Sequence, residues 1–225
     1  MNACFVSSTA SVDHAILVKI GGATYMTAPT KLQATRAFFG PRAAGWDARF
    51  FNDAPQYARA VDDLRLRPGM CVLDLGCGTG RALPPLRAAV GPSGQVVGLD
   101  ATYEMLAEAR RHGRGALATL LLGDALRLPF PSACADAIFA GGLLPHLEEP
   151  ERALAEMARV TRLSGKLAVF HPVGRVALAA RHGGVPSNND VVAPSRLAKL
   201  CRATGWELEW LDDAEERYFA LATRR

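Results

Sequence analysis

Residues 72–80 read Val-Leu-Asp-Leu-Gly-Cys-Gly-Thr-Gly, an apolar run that carries an acid, Asp74, and passes straight into a glycine-rich turn. Glycines at such a turn let the backbone approach a ligand closely, with peptide N–H groups free to face it where a helix starts. The spacing is G-x-G-x-G at Gly76, Gly78 and Gly80, and Arg81 stands where a dinucleotide fingerprint would carry its third glycine. A nicotinamide dinucleotide is therefore not the expected ligand, and a dehydrogenase is only the third reading, with the glycine spacing against it. Two further acids recur downstream, Asp100 and Asp124, each just after an apolar run. A carboxylate at the C-terminal end of a parallel strand can accept both hydroxyls of a ribose. Any one of these acids reads equally well as a turn or cap residue. Their joint recurrence behind a glycine loop is what points to a ligand.

Two histidines could move a proton: His146, which ends the stretch Ala140-Gly141-Gly142-Leu143-Leu144-Pro145-His146, and His171, beside Pro172. An ordinary imidazole titrates near ~6.5 and suits proton removal at neutral pH. Each could instead hydrogen-bond a backbone group at a strand end. Cys77 lies inside the glycine loop, but no base follows it, so it reads as a small loop residue rather than a nucleophile. Asp212-Asp213 falls in a terminal strand pair away from the crevice, and no metal site is expected.

Residues of this kind need strand ends to hold them, and the hydrophobic pattern supplies those ends. Apolar runs at 70–75, 95–99, 117–122, 136–140 and 167–171 alternate with amphipathic stretches of helix length. Leu83, Leu86 and Val90 mark one helical face, Met105, Leu106 and Ala109 a second, and Leu154, Met157 and Val160 a third. Thr102 is a candidate N-cap, and Gly113 a stop. Five strands separated by helices should lie parallel. After a Gly-, Pro- and Asn-rich loop over 172–194 and a helix capped by Ser195, runs at 206–211 and 217–223 are too close for a crossover helix and should pair antiparallel. Ahead of these alternating runs, Asp53 and Pro55 can open a helix bearing Tyr57, Val61 and Leu64 on one face. The aromatics between Phe38 and Phe51 suggest a lid over the crevice.

The 225 residues are enough for one domain with a self-sufficient core, and at 49% hydrophobic and 21% charged the chain is ordinary for a globular protein. No run approaches the ~20 apolar residues of a membrane span. The net charge of +4 comes mostly from arginine, spread along the chain apart from Arg110, Arg111, His112 and Arg114. That cluster reads as a helix C-terminus rather than a nucleic-acid patch. Five scattered cysteines with no C-x-x-C pair suggest reduced thiols and a cytoplasmic setting. Residues 1–28 make a poor signal peptide and are expected to be a disordered extension, with Met26 a possible alternative start. Residues 29–66 should form a helical arm and 67–225 the ligand-binding domain.

From residue 70 onward the sequence resembles the class I S-adenosylmethionine-dependent methyltransferases, above all in VLDLGCGTG, GDALRLPF (123–130) and RVTRLSGKLAVF (159–170). Leu163-Ser164-Gly165 departs from the family's usual Pro-Gly-Gly turn. The resemblance implies an α/β fold: a Rossmann-like, doubly wound, seven-stranded and mostly parallel sheet with an antiparallel C-terminal hairpin. It also implies S-adenosyl-L-methionine as cofactor, held by Asp74, Gly76, Cys77, Gly78, Gly80, Asp100, Ala101, Asp124, Ala125 and Gly141, with His146 as the catalytic candidate. Motifs of the nucleic-acid- and arginine-methylating branches are missing after the fourth strand. The implied acceptor is a small molecule of quinone or secondary-metabolite type, with no nucleic-acid or membrane partner. A non-catalytic, cofactor-binding regulatory protein of the same fold is the alternative.

Overall fold

The computed structural model describes residues 16–20, 23–27 and 30–225. Its centre is a seven-stranded sheet built from β3 (Cys71–Leu75), β4 (Gln95–Asp100), β5 (Thr119–Leu122), β6 (Ala135–Gly141), β7 (Thr161–His171), β8 (Trp206–Ala214) and β9 (Arg217–Arg224). In space the order is β5-β4-β3-β6-β7-β9-β8. Strands β3 to β7 pair parallel, whereas β9 runs antiparallel between β7 and β8. This is the doubly wound, mostly parallel architecture expected from the sequence. The order reverses between β3 and β6, which is where open α/β sheets gather ligands at the strands' C-terminal ends.

Strand parity sorts the core into two layers. Leu73, Ile138, Ala140, Leu167 and Val169 face α6 (Pro150–Val160) and α8 (Pro194–Ala203), and there the Trp206 indole donates to the Leu154 carbonyl at 3.0 Å. Val72, Ala137, Phe139, Ala168 and Phe170 face α3 (Ala54–Asp63) and α4 (Leu83–Val90). Such two-faced burial is why these strands read as near-continuous apolar runs. All three helical faces marked in the sequence are buried, the second of them on α5 (Tyr103–Arg111).

Several local expectations need correction. Asp53 and Thr102 occupy N-cap positions but make no side-chain cap bond, because Asp53 turns to Arg81 instead. Ala193, not Ser195, caps α8. The loop over 172–194 contains α7 (Arg175–Arg181). The Ser164-Gly165 turn does not precede the fifth strand but lies inside it. Ala135 and Ala137 pair with Thr161 and Lys166, so β7 bulges here, with Ser164 at φ 64°.

Two short strands, β1 (Ile16–Ile20) and β2 (Ala23–Thr27), pair antiparallel as a separate two-stranded sheet within the segment expected to be disordered. Gly21-Gly22 between β-branched runs is a hairpin signal that the expectation overlooked. The rest of that expectation, over 1–15, 21–22 and 28–29, lies outside the described residues. An isolated hairpin is only marginally stable in water. A chain begun at Met26 should therefore melt within a few degrees of the full chain, and a large fall in Tm would show that the segment packs on the domain.

Candidate functional site

The C-terminal edge of the parallel strands brings the three acids together. Asp74 is the next-to-last residue of β3, on the α3/α4 face, is 2% exposed, and its Oδ2 has no hydrogen-bond partner among the described residues. Burial first, and then the charge of Asp100, push its pKa up to about 8. Asp100 ends β4 and accepts the Gly78 N–H on Oδ2 at 2.8 Å and the Thr102 N–H on Oδ1 at 2.7 Å. Its pKa is raised by burial, against those backbone donors, which lower it. An ionised carboxylate offers about four acceptor positions, so these two bonds leave room for two more. Asp124 follows β5, and its Oδ1 closes a turn on the Leu126 N–H at 2.9 Å, while Ala125 behind it is buried.

The glycine loop is fixed from beneath. Gly76 and Cys77 donate to the Leu99 carbonyl at 2.8 and 3.1 Å, and Gly80 donates to that of Cys77 at 2.7 Å. Gly80 sits at φ 83°, and a Cβ there would meet Leu83 at 2.7 Å, so only glycine fits both the conformation and the space. The Cys77 thiol packs against Gly98, and burial raises its pKa well above the ordinary value, in keeping with a packing rather than a nucleophilic part.

Beyond β6, Gly141 and Gly142 lead into a segment that folds over the loop, with Leu143 3.0 Å from the Cβ position of Gly76. His146 closes this segment at the rim, its ring edge-on to Phe39 with centroids 5.0 Å apart. Desolvation, and then the charges of Lys31 and His171, lower its pKa. His171 ends β7 and takes the local role: its Nδ1 lies 2.8 Å from the Val173 carbonyl and 3.1 Å from the Val173 N–H.

The arm was only partly legible in the sequence. Helix α1 (Lys31–Phe39) is tied down by Lys31, which donates to the Leu147 carbonyl at 2.7 Å, and by Arg36, which donates to that of Ala101 at 2.8 Å. Asp47, in α2 (Trp46–Arg49), accepts from the Thr79 hydroxyl at 2.5 Å and pairs with Arg114 at 2.6 Å. Burial opposes ionisation of Asp47, but Arg114 and Thr79 outweigh it and hold the pKa below the ordinary value. Arg81 reaches back to Asp53 and to the Phe50 carbonyl, with Tyr57 beneath its guanidinium. No periodicity reveals Lys31, Arg36, Asp47 or Arg114, because each acts on a partner distant in sequence. Because the arm meets the loop chiefly through such polar contacts, a ligand in the crevice should decide how firmly it stays shut. Limited proteolysis should cut 38–51 in the ligand-free protein and spare it with cofactor present, and equal cutting in both would count against a lid.

Among the described residues no three His, Cys, Asp or Glu side chains gather into a metal-holding group. Asp212 and Asp213 pair instead with Arg217 and Arg175. No helix of the described residues is long and apolar enough to cross a membrane.

Residues 73–169 match the model of a methyltransferase domain. The chain is 41% identical over 107 residues to the ubiquinone/menaquinone biosynthesis C-methyltransferase of Bordetella parapertussis, covering 47% of this chain and 42% of that one. It is 32% identical over 151 residues to the nocamycin O-methyltransferase of Saccharothrix syringae, covering 64% and 54% respectively. The chain thus spans about a third to a half of the length of the curated relatives it matches. In fold it is similar to an S-adenosylmethionine-dependent methyltransferase from Aquifex aeolicus, with a TM-score of 0.63 and 23% identity over 75% of this chain and 89% of that one.

Proposed function

Because the chain belongs to the class I S-adenosylmethionine-dependent methyltransferases, we propose that it binds S-adenosylmethionine in the crevice above β3 and β4 and methylates a small-molecule acceptor. The observation that carries this reading is the Asp74 carboxyl, buried beside the glycine loop with no partner for Oδ2 among the described residues. Such a group is costly unless a ligand satisfies it. S-adenosylmethionine brings an ammonium and a sulfonium, and when bound it supplies a methyl group already activated for transfer. The donor set fits: Asp74 for a cation, the open positions on Asp100 for ribose hydroxyls, and the segment around Asp124 and Ala125 for the base. With the methyl already activated, this chain's part is to hold the acceptor in line and exclude water, and positioning alone can supply up to ~7 to 11 kcal/mol. If the accepting atom is a hydroxyl, His146 is the group placed to take its proton.

The test combines titration with turnover. In the free protein the raised pKa keeps Asp74 largely protonated near neutral pH, whereas an unfolded aspartate ionises near ~3.9. The fold therefore loses stability as pH rises from there through about 8. A cation bound beside Asp74 draws the pKa down, so S-adenosylmethionine should bind with release of a proton. Calorimetry near neutral pH should give a heat that varies with the ionisation enthalpy of the buffer, and Asp74→Asn should abolish that dependence. Buffer-independent heat in the native protein would remove Asp74 from the site. Transfer of labelled methyl from S-adenosylmethionine to a panel of extracted metabolites then tests turnover. Tight binding with no transfer to any of them would favour a regulatory protein.

A further inference from the structure

Between the segment after β6 and helix α7 lies a cavity of about 40 Å³ lined by Leu144, Phe170, Val173 and Leu178. It has room for a few heavy atoms, enough for one end of a molecule. Two strongly polar side chains also line it besides His171. The hydroxyl of Tyr218 is already engaged, donating to the Val192 carbonyl at 2.8 Å. Arg175 is 11% exposed; its Nη2 donates to the Ser187 carbonyl at 2.6 Å and lies 3.3 Å from Asp190, and its Nη1 lies 3.5 Å from Asp213. Its Nε–H is buried with no partner among the described residues. A buried donor left unmade is unfavourable, so this N–H marks a place for an acceptor atom.

The charges beside it decide what kind of acceptor atom. Asp190 and Asp213 already oppose the guanidinium with two negative charges against one positive. A carboxylate ligand would add a third, and in a cavity with apolar walls it would also have to shed its water. A neutral oxygen avoids both penalties. We propose that Arg175 is a specificity-determining residue of the acceptor site, and that this cavity takes the end of an uncharged, largely apolar molecule presenting a carbonyl-type oxygen to the Arg175 Nε–H. The word acceptor rests on the methyl-transfer reading. The ligand chemistry rests on the cavity alone.

The test uses three probes of similar shape on the full chain, followed by ligand-observed NMR titration: acetophenone, the hydrocarbon α-methylstyrene and benzoate. The ketone should bind roughly three- to tenfold tighter than the hydrocarbon, the worth of one net hydrogen bond, and benzoate should bind no better than the hydrocarbon. Arg175→Lys keeps a cation for Asp190 and Asp213 but has no Nε–H, and should level ketone and hydrocarbon. Leu178→Trp fills the cavity and should remove both, which serves if the lysine variant melts early. Absence of saturable ketone binding in the native chain, a ketone preference that survives Arg175→Lys, or benzoate as the tightest probe would overturn the proposal. S-adenosylmethionine titrated separately keeps the two readings apart: failure there sinks methyl transfer and leaves the ketone preference to stand or fall by itself.

Discussion

Asp100→Ala should weaken S-adenosylmethionine binding by roughly 10² to 10⁴, the loss of two charge-assisted hydrogen bonds to a ribose at ~1.5 to 3 kcal/mol each. The structure adds a second route to the same loss, because this carboxylate also holds the Gly78 and Thr102 N–H groups at 2.8 and 2.7 Å. Alanine would thus remove ligand bonds and release the glycine loop together. Asp100→Asn separates these contributions, since its amide oxygen can still accept one backbone N–H while the negative charge is gone. The asparagine variant should fall between native and alanine in calorimetric affinity. Unchanged affinity in the alanine variant would sink the assignment of the crevice.

His146→Ala should lower kcat by ~10² to 10⁴ and leave cofactor affinity nearly intact if the imidazole is the general base. Since desolvation, Lys31 and His171 hold its pKa below the ordinary imidazole value, the base form prevails at neutral pH. The rate should therefore rise with pH through a midpoint below ~6.5 and be flat above it. His171→Ala is the matched control. Its Nδ1 is taken up by the Val173 backbone, so that variant should lose stability of the order of one buried hydrogen bond, ~1 kcal/mol, more than rate. If instead His146→Ala shows full activity on the true acceptor, positioning is the whole mechanism and the ring only braces Phe39.

The sheet and its glycine loop were readable because burial on both faces forces apolar runs, and because the loop's conformation at Gly80 excludes side chains. Asp74, Asp100 and Asp124 came from the same logic, each at a strand end. The arm's attachment was not readable, since Lys31, Arg36 and Asp47 meet their partners across distances that no local period records. Cap assignments failed where a better partner competed: Asp53 was drawn off by Arg81. Helix α7 was hidden by the polar, Gly- and Pro-rich composition around it, and with it went Arg175, whose buried Nε–H has no partner among the described residues. Ser164-Gly165 looked like a boundary because a positive φ usually ends an element, yet the neighbouring strands carry β7 past it.

Gly174, the N-cap residue just ahead of α7, has an ordinary φ of −68°, so its constraint is one of space alone. A Cβ there would lie 1.7 Å from the carbonyl oxygen of Ala214, the last residue of β8, and the next residue, Arg175, donates its N–H to Asp213 at 2.8 Å. The stretch after β7 and the far edge of the sheet are therefore one inherited unit, although about forty residues separate them along the chain. Recombination between relatives that exchanges one without the other would graft a collision. A chimera aimed at new acceptors must take both breakpoints together, moving 172–193 with the hairpin turn that receives it, or retain glycine at this joint in every parent.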